Sequence, residues 1–193
     1  MDWICAFGPE SPAILGPEEA MQSPRKKGGK PSRGWTARWK NESETETLGV
    51  DIATKLINVP DTNYSVELFL FDCSGKEFYR NLVMKMSSQP SLVLLVYDVT
   101  SEQSFKCITD LYNWIKGQHS EQLNGVLFAN KCDLTSRRIV SPKSGRDIAH
   151  SLGLQYFEGS AKDQVGIEEP FFFLVNEWFK TYTDRVQAMK LVT

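Results

Sequence analysis

Polar side chains that could recognise a nucleotide base follow the apolar run between Gly125 and Asn130. Such a run is typical of a buried parallel strand, and open α/β sheets bind ligands at the carboxyl ends of their strands. A carboxylate accepts two parallel N–H bonds, and guanine offers such a pair where adenine does not. Asp133 is therefore a candidate guanine reader. We expect the Asn130 amide to tie neighbouring loops to the base and the stem of Lys131 to lie along its ring.

This Asn-Lys-x-Asp motif is short, and a polar loop after a strand would satisfy it equally well. Two further motifs favour the nucleotide interpretation. Asp72-x-x-Gly75 ends a second apolar run, and Ser160, Ala161 and Lys162 follow a third. A carboxylate at the first of these positions can hold Mg²⁺ through water, and a glycine there lets the backbone approach a terminal phosphate closely.

With these three motifs in this order, the chain resembles the Ras-like small GTPases, and within them most of all the Rab-like members of intraflagellar transport. The second similarity rests on the strings that begin at Val59 and Ser65, and the resemblance runs from about Thr47 to the C-terminus. It implies GTP or GDP as ligand, Mg²⁺ held by Thr47 and Asp72, and a terminal phosphate met by Thr47 and Gly75. It assigns the guanine contacts to Asn130, Lys131, Asp133, Ser160, Ala161 and Lys162.

The pattern of elements predicts an α/β fold with a doubly wound, mostly parallel sheet and one antiparallel hairpin. Ser141 as cap, Pro142 at the first turn and Gly153 beyond the end frame one helix. A C-terminal helix is expected to start near Ile167 or Pro170. Whether its far end, around residues 186–189, packs inward or binds a partner stays open.

Length and composition predict one core rather than two domains, since the chain has 193 residues of which 41% are hydrophobic. Residues 1–46 are expected to be an atypical, disordered segment, and residues 47–193 a Rab-like small-GTPase domain. The basic stretch from Arg25 to Lys40, with tryptophans interleaved, could be a nucleic-acid-binding arm, but we favour a solvated tail. A net charge of −2 gives no general attraction to nucleic acid. Scattered cysteines and histidines predict neither disulfides nor a zinc site, and the apolar start is too short for a signal peptide or membrane span, so a soluble, intracellular protein is expected.

The phosphate-binding loop of the family, Gly-x-x-x-x-Gly-Lys-[Ser/Thr], is missing before Thr47. The nearest string places Pro31 at the hydroxyl position. In a second interpretation Trp3–Phe7 is a surviving first strand and Gly8 the first loop glycine, but the lysine and hydroxyl are still absent. Losing four charge-assisted contacts of roughly 1.5–3 kcal/mol each would weaken GTP binding by roughly 6–12 kcal/mol. We therefore expect the first strand and first helix to be missing or replaced, and GTP and Mg²⁺ to bind weakly or not at all.

The sequence supports two hypotheses of function. The first is a Rab-like GTPase component of intraflagellar transport with impaired nucleotide binding; the alternative is an interaction subunit that needs no nucleotide. Lys76 stands at the water-orienting glutamine position, and an ammonium cannot accept a proton from water, so slow hydrolysis at most is expected. The C-terminus lacks a prenylated cysteine, so we expect no direct membrane anchor. Other transport subunits are the expected partners, in the cytoplasm and the cilium.

Overall fold

Apolar runs that alternate with periodic, polar-faced segments give strands followed by helices along most of the chain. The computed structural model describes residues 2–7, 14–15, 50–74, 92–117 and 123–191. Its elements, in chain order, are β1 (Asp2–Phe7), β2 (Ile14–Leu15), β3 (Val50–Asn58), β4 (Ser65–Ser74), β5 (Leu92–Asp98), α1 (Glu102–Lys116), β6 (Asn124–Asn130), a 3₁₀ turn (Thr135–Arg137), α2 (Pro142–Leu152), β7 (Gln155–Glu158) and α3 (Glu169–Lys190).

The strands form a single sheet in the order β2-β4-β1-β5-β6-β7, with β3 on the other side of β4. Strands β5, β6 and β7 are parallel, so their carboxyl ends lie at one edge. Asp98 is in register with Asn130 there, and Ala129 with Glu158. We call this the carboxyl edge. The predicted α/β fold is confirmed, with three parallel strands, β5, β6 and β7, beside antiparallel ones.

The predicted antiparallel hairpin is formed by β3 and β4. Its turn spans residues 60–63 and is closed by the Val59 amide, which donates to the Tyr64 carbonyl at 2.9 Å. Asp61 takes a left-handed conformation in this turn, with φ of 58°, which aspartate tolerates better than most residues.

Strand β1 fills the slot between β4 and β5, and it runs antiparallel to both. Trp3 pairs with Leu95 and Ala6 with Leu92, so the chain leaves β1 at the amino end of β5. We expected the first strand to be missing or replaced. The structure shows a replacement, because a strand that runs in the opposite direction occupies the slot. Gly8, which one interpretation made the first glycine of a phosphate loop, lies outside the described residues. The expectation that the first helix is missing or replaced concerns residues outside the described ones and stays a prediction.

Strand β4 continues past the point at which the sequence pattern predicted its end. Partners on both sides, Asp2 to Ile4 of β1 and Val50 to Asp51 of β3, supply ladder bonds as far as Ser74. Asp72, which stands at the end of the second apolar run of the sequence, therefore lies inside β4, in register with Ile4 and Asp51. One of its carboxylate oxygens, Oδ1, is enclosed by protein.

The helices begin and end where their caps predict. The Ser101 side chain accepts from the Ser104 amide at the start of α1, and Ser141, Pro142 and Gly153 frame α2 as expected. Gly153 has φ of 71°, the left-handed value that favours glycine after a helix. The buried face of α1 consists of Ile108, Leu111, Tyr112 and Ile115.

Helix α3 covers the second face of the sheet through Phe171, Leu174 and Val175, which are fully buried. Its far end is different, because Met189 is 67% exposed. The first half of α3 therefore packs in the core, while its last turns remain at the surface. Within the described residues no helix is both long and apolar enough to cross a membrane.

Candidate guanine-binding site

Two loops at the carboxyl edge carry the predicted base-reading residues. The β6 loop covers residues 130–134 and the β7 loop covers residues 159–165. Lys131 has φ of 66°, which turns the chain sharply out of β6. Backbone bonds join the loops: the Cys132 amide donates to the Gly159 carbonyl at 3.1 Å, and the Gly159 amide to the Ala129 carbonyl at 3.0 Å.

Asn130 ties the two loops together through its side chain. Its Oδ1 accepts from the Lys131 amide at 2.8 Å and from the Ala161 amide at 3.1 Å. Both bonds use the carbonyl oxygen, so this contact does not need the two N–H donors of Nδ2. Ala161 is 1% exposed, which fixes this contact inside the protein.

Asp133 is held by Ser160 of the β7 loop. The Ser160 hydroxyl donates to Asp133 Oδ1 at 2.6 Å and accepts from the Asp163 amide at 3.1 Å. Because one hydroxyl makes both bonds and Ser160 is only 3% exposed, the carboxylate has a defined orientation. A carboxylate has about four acceptor sites, so the Ser160 bond leaves capacity for the paired N–H groups of guanine.

Asp98 belongs to the same edge, although the sequence pattern gave it no role. Its Oδ2 pairs with Lys131 Nζ at 2.8 Å, and its Oδ1 accepts from the amide and the hydroxyl of Thr100, each at 2.7 Å. Burial alone would raise the pKa of Asp98, but the bonds from Lys131 and Thr100 outweigh it and hold the pKa below its usual value. The pair therefore keeps the Lys131 stem extended along the edge toward β5.

A half-buried polar network lies behind both loops, and the sequence analysis did not find it. Arg138 binds Glu158 through Nη2 to Oε2 at 2.9 Å and through Nη1 to Oε1 at 3.3 Å, and its Nη2 also donates to Cys132 Sγ at 3.2 Å. Tyr156 donates its hydroxyl to Glu158 Oε1 and lies 3.3 Å from the hydroxyl of Tyr97. Glu158 directly precedes the β7 loop, and Cys132 lies within the β6 loop, so the network joins the bases of both.

Burial determines most pKa shifts in this network. It raises the pKa of Cys132, with the neighbouring Glu158 carboxylate adding to the effect, and it raises the pKa of Tyr156 well above the usual tyrosine value. Glu158 behaves differently: burial would raise its pKa, but the bonds from Tyr156 and Arg138 lower it overall. Glu158 is therefore a carboxylate at neutral pH, and Cys132 a neutral thiol.

Comparison with known proteins identifies the family. Residues 35–180 match the Ras family. This chain belongs to the Ras family. Three relatives share the name intraflagellar transport protein 27 homolog. The Mus musculus protein is 41% identical over 143 residues, which cover 74% of this chain and 77% of the relative. The Bos taurus protein is 39% identical over 150 residues, or 76% and 79% of the two chains, and the Homo sapiens protein 38% over 153 residues, or 77% and 81%.

The structure brings together only some of the residues that the Ras-family resemblance singled out. Asn130, Lys131, Asp133, Ser160 and Ala161 lie in two joined loops at one edge. Lys162 is exposed beside them. Thr47, Gly75 and Lys76 fall outside the described residues, so their roles stay predictions.

The described residues of the carboxyl edge fit a guanine base, whereas Thr47 and Gly75, which the resemblance assigns to Mg²⁺ and the terminal phosphate, lie outside the described residues. Through Ile4, Asp72 is level with Leu94, four residues before Asp98, and so on the order of 13 Å short of the edge. In the described part of the chain, no group of three or more histidine, cysteine or acidic side chains is placed to hold a metal ion.

Proposed function

We propose that this chain acts in intraflagellar transport as a Rab-like member of the Ras family that recognises guanine with Asp133 and binds GTP or GDP only weakly. The observation that carries the base specificity is the Asp133–Ser160 bond of 2.6 Å, which joins the two base-reading loops and orients the carboxylate. The relatives named intraflagellar transport protein 27 homolog support the place of action.

We further propose that the protein works within an assembly of other transport subunits in the cytoplasm and the cilium. The exposed last turns of α3, with Met189 at 67%, offer surface for such contacts. Direct attachment to membranes or binding to nucleic acid is not part of this proposal, since a net charge of −2 favours neither.

The alternative, an interaction subunit that needs no nucleotide, is favoured by one specific observation. The reversed β1 occupies the slot from which the family's phosphate loop would emerge. The fold is complete around that slot without nucleotide contacts, so the domain does not require a ligand to hold its centre together.

A competition between guanine and adenine nucleotides tests the proposal. We expect GDP to displace a fluorescent guanine nucleotide at least tenfold better than ADP, and Asp133→Ala to abolish this preference. Asp184→Ala, which removes an exposed carboxylate on α3, is the charge-matched control and should leave the preference unchanged. Equal weak competition by both nucleotides with the unmodified chain would reject guanine recognition and leave the interaction subunit.

A further inference from the structure

Asp98 ends β5 directly beside the loop that carries the proposed base-reading residues. It is in register with Asn130, and the Val99 amide donates to the Asn130 carbonyl at 3.1 Å, so the two strands stay joined at their ends. The Asp98 carboxylate pairs with Lys131, with 2.8 Å between Oδ2 and Nζ. A side chain outside the β6 loop therefore fixes the far end of a side chain that belongs to the loop.

The carboxylate is the fixed member of this pair. Its Oδ1 accepts from the amide and the hydroxyl of Thr100, each at 2.7 Å, and the Asp98 backbone amide donates to Ser104 Oγ at 3.0 Å. The Asp98 side chain is 23% exposed, against 51% for Lys131. Because Thr100 and α1 hold Asp98 in place, the flexible lysine adopts the position that the carboxylate sets, rather than the reverse.

Both ends of the Lys131 side chain are therefore determined without a ligand. At the backbone end, its φ of 66° and the bond from its amide to Asn130 Oδ1, at 2.8 Å, fix where the stem leaves the chain. At the other end, Asp98 fixes Nζ. A lysine that becomes ordered only on binding loses rotamer freedom at that step, and this loss weakens binding. The pair with Asp98 places the loss in folding instead.

Stability alone gives little reason for such a pair. Ion pairs between partly exposed side chains contribute little to the folded state, because solvent screens them and two side chains must be ordered. The Lys131 side chain is half exposed, and an aliphatic stem can cover the flat face of a ring. The Asp133 carboxylate recognises hydrogen-bond donors, whereas a hydrocarbon stem does not distinguish one purine from another.

We propose that Asp98 is a positioning residue of the base site, which holds Lys131 so that its stem is ready to cover a purine ring. The proposal rests on the proposed guanine recognition and deepens it, because it assigns two contributions to two pairs of residues. The Asp98–Lys131 pair contributes affinity for a purine of either kind. The Asp133–Ser160 pair contributes the choice of guanine.

Substitution of Asp98 by asparagine tests the proposal. Asp98→Asn keeps an oxygen that can accept from Thr100 but loses the charge that holds Lys131. In competition with a fluorescent guanine nucleotide, we expect the affinities of the full chain for GDP and ADP both to fall by about three- to tenfold, with the ratio between them unchanged. Asp147→Asn is the matched control, because it removes the same charge from an exposed pair with Lys143 on α2. It should leave both affinities unchanged.

A second background separates positioning from a general effect on the fold. Lys131→Met keeps a flexible apolar stem but has no ammonium for Asp98 to hold. Adding Asp98→Asn to Lys131→Met should therefore cause no further loss of affinity. Urea unfolding of these variants and the unmodified chain should show changes in stability too small to account for the loss of affinity in Asp98→Asn alone.

The contrary results can be told apart. If the unmodified chain prefers GDP to ADP but Asp98→Asn binds both as tightly as it does, guanine recognition stands and the role of Asp98 is wrong. An equal loss of affinity in the Lys131→Met background would show that Asp98 acts through the fold, which also overturns the proposal. No preference for GDP in the unmodified chain would reject guanine recognition, while the double variant would still show whether Asp98 acts through Lys131.

Discussion

Arg138 donates hydrogen bonds to both carboxylate oxygens of Glu158, at 2.9 and 3.3 Å, although the two residues are 20 positions apart in the sequence. Because Nη2 also donates to Cys132 Sγ, a single guanidinium fixes the bases of both loops that carry the proposed guanine-reading residues. Arg138 touches no residue assigned to the base, so it is a positioning residue.

Replacing Arg138 should loosen the two loops relative to each other. We expect Arg138→Ala to lower the free energy of unfolding by about 1–3 kcal/mol, since it leaves a half-buried carboxylate with fewer donors. The guanine-over-adenine preference should fall at the same time. Arg138→Lys keeps the positive charge but loses the forked pair of guanidinium donors. We therefore expect lysine to restore the free energy of unfolding more fully than the guanine-over-adenine preference.

The neighbouring Arg137 provides the matched control, because its side chain is exposed and lies in the 3₁₀ turn. Arg137→Ala should leave both stability and preference unchanged. A loss of stability in Arg138→Ala with full guanine preference retained would show that the contact is structural only. Denaturant unfolding and nucleotide competition measure the two quantities.

Ser160→Ala should weaken base selection through Asp133. The hydroxyl that donates to the carboxylate at 2.6 Å is lost, and a hydrogen bond to a charged group contributes about 1.5–3 kcal/mol. We expect the guanine preference to fall by several-fold, with a smaller effect than Asp133→Ala. Ser151→Ala removes a hydroxyl that bonds only a helix carbonyl at 2.8 Å and is the control. Equal preference in the Ser160 variant and the unmodified chain would mean that Asp133 needs no support.

Stability should decline in acid partly because of Glu158. Its folded-state pKa is lowered from 4.5, so its contribution is complete above that value and is lost as the pH falls through the lowered pKa. Glu158→Gln should therefore be less stable than the unmodified chain at neutral pH, with the gap narrowing below about pH 4.5. Urea unfolding of both proteins from pH 3 to 7 measures this difference in stability. Glu102→Gln, in an exposed pair with Lys106, should track the unmodified chain, and a constant gap at every pH would reject the assignment.

Gly145 allows helix α2 to approach β5 and β7. A Cβ there would lie 2.5 Å from the Tyr97 hydroxyl and 2.5 Å from Cε2 of Tyr156, so the two rings would have to move. We expect Gly145→Ala to destabilise the fold by about 1–3 kcal/mol, although alanine favours helix formation. Gly117→Ala is the contrasting variant, because its Cβ would meet only backbone oxygens at 3.3 and 3.6 Å. Thermal unfolding should separate the two; a neutral Gly145→Ala would show that the tyrosines are free to shift.

The reversed β1 makes the N-terminal residues structural. Ile4 pairs with Asp72 on one side and Leu94 on the other, so proline there removes a ladder bond in the middle of the sheet. We expect Ile4→Pro to cost about 1–3 kcal/mol from that bond alone, and Lys27→Pro, outside the described residues, to cost little. Replacing residues 16–46 with a Gly/Ser linker should leave a folded domain, whereas deleting residues 1–15 should not. A stable domain after that deletion would refute the strand assignment.

The close approach of Asp133 and Ser160 could be predicted from the sequence because local rules determine it. Apolar runs with polar residues at their ends predicted β6 and β7, and parallel strands bring such ends together, as they do for Asp133 and Ser160. The caps of α1 and α2 were predictable for the same reason, since each depends on residues within one turn.

Other features depend on distant residues and have no local pattern. The direction of β1 is decided by pairing with β4 and β5 far along the chain, and an apolar string pairs in either direction. Asp98 could have been recognised, because a carboxylate ending the strand beside β6 lies within reach of Lys131. The pairing of Arg138 with Glu158 could not be predicted from the sequence, because half-buried polar residues do not recur with the spacing that marks the buried face of a helix or strand.

Strand β1 also has a consequence for synthesis on the ribosome. It is made before β4 and β5, yet Trp3 pairs with Leu95, and at translation rates of about 5–20 residues per second that partner appears roughly 5–20 s later. The β3–β4 hairpin, whose contacts are local, can form before β5 exists and offers β4 as the first template for the waiting strand. The nascent β1 segment therefore has no partner strand in the sheet until the hairpin emerges, and the growing sheet adds β5 to β1 rather than directly to β4.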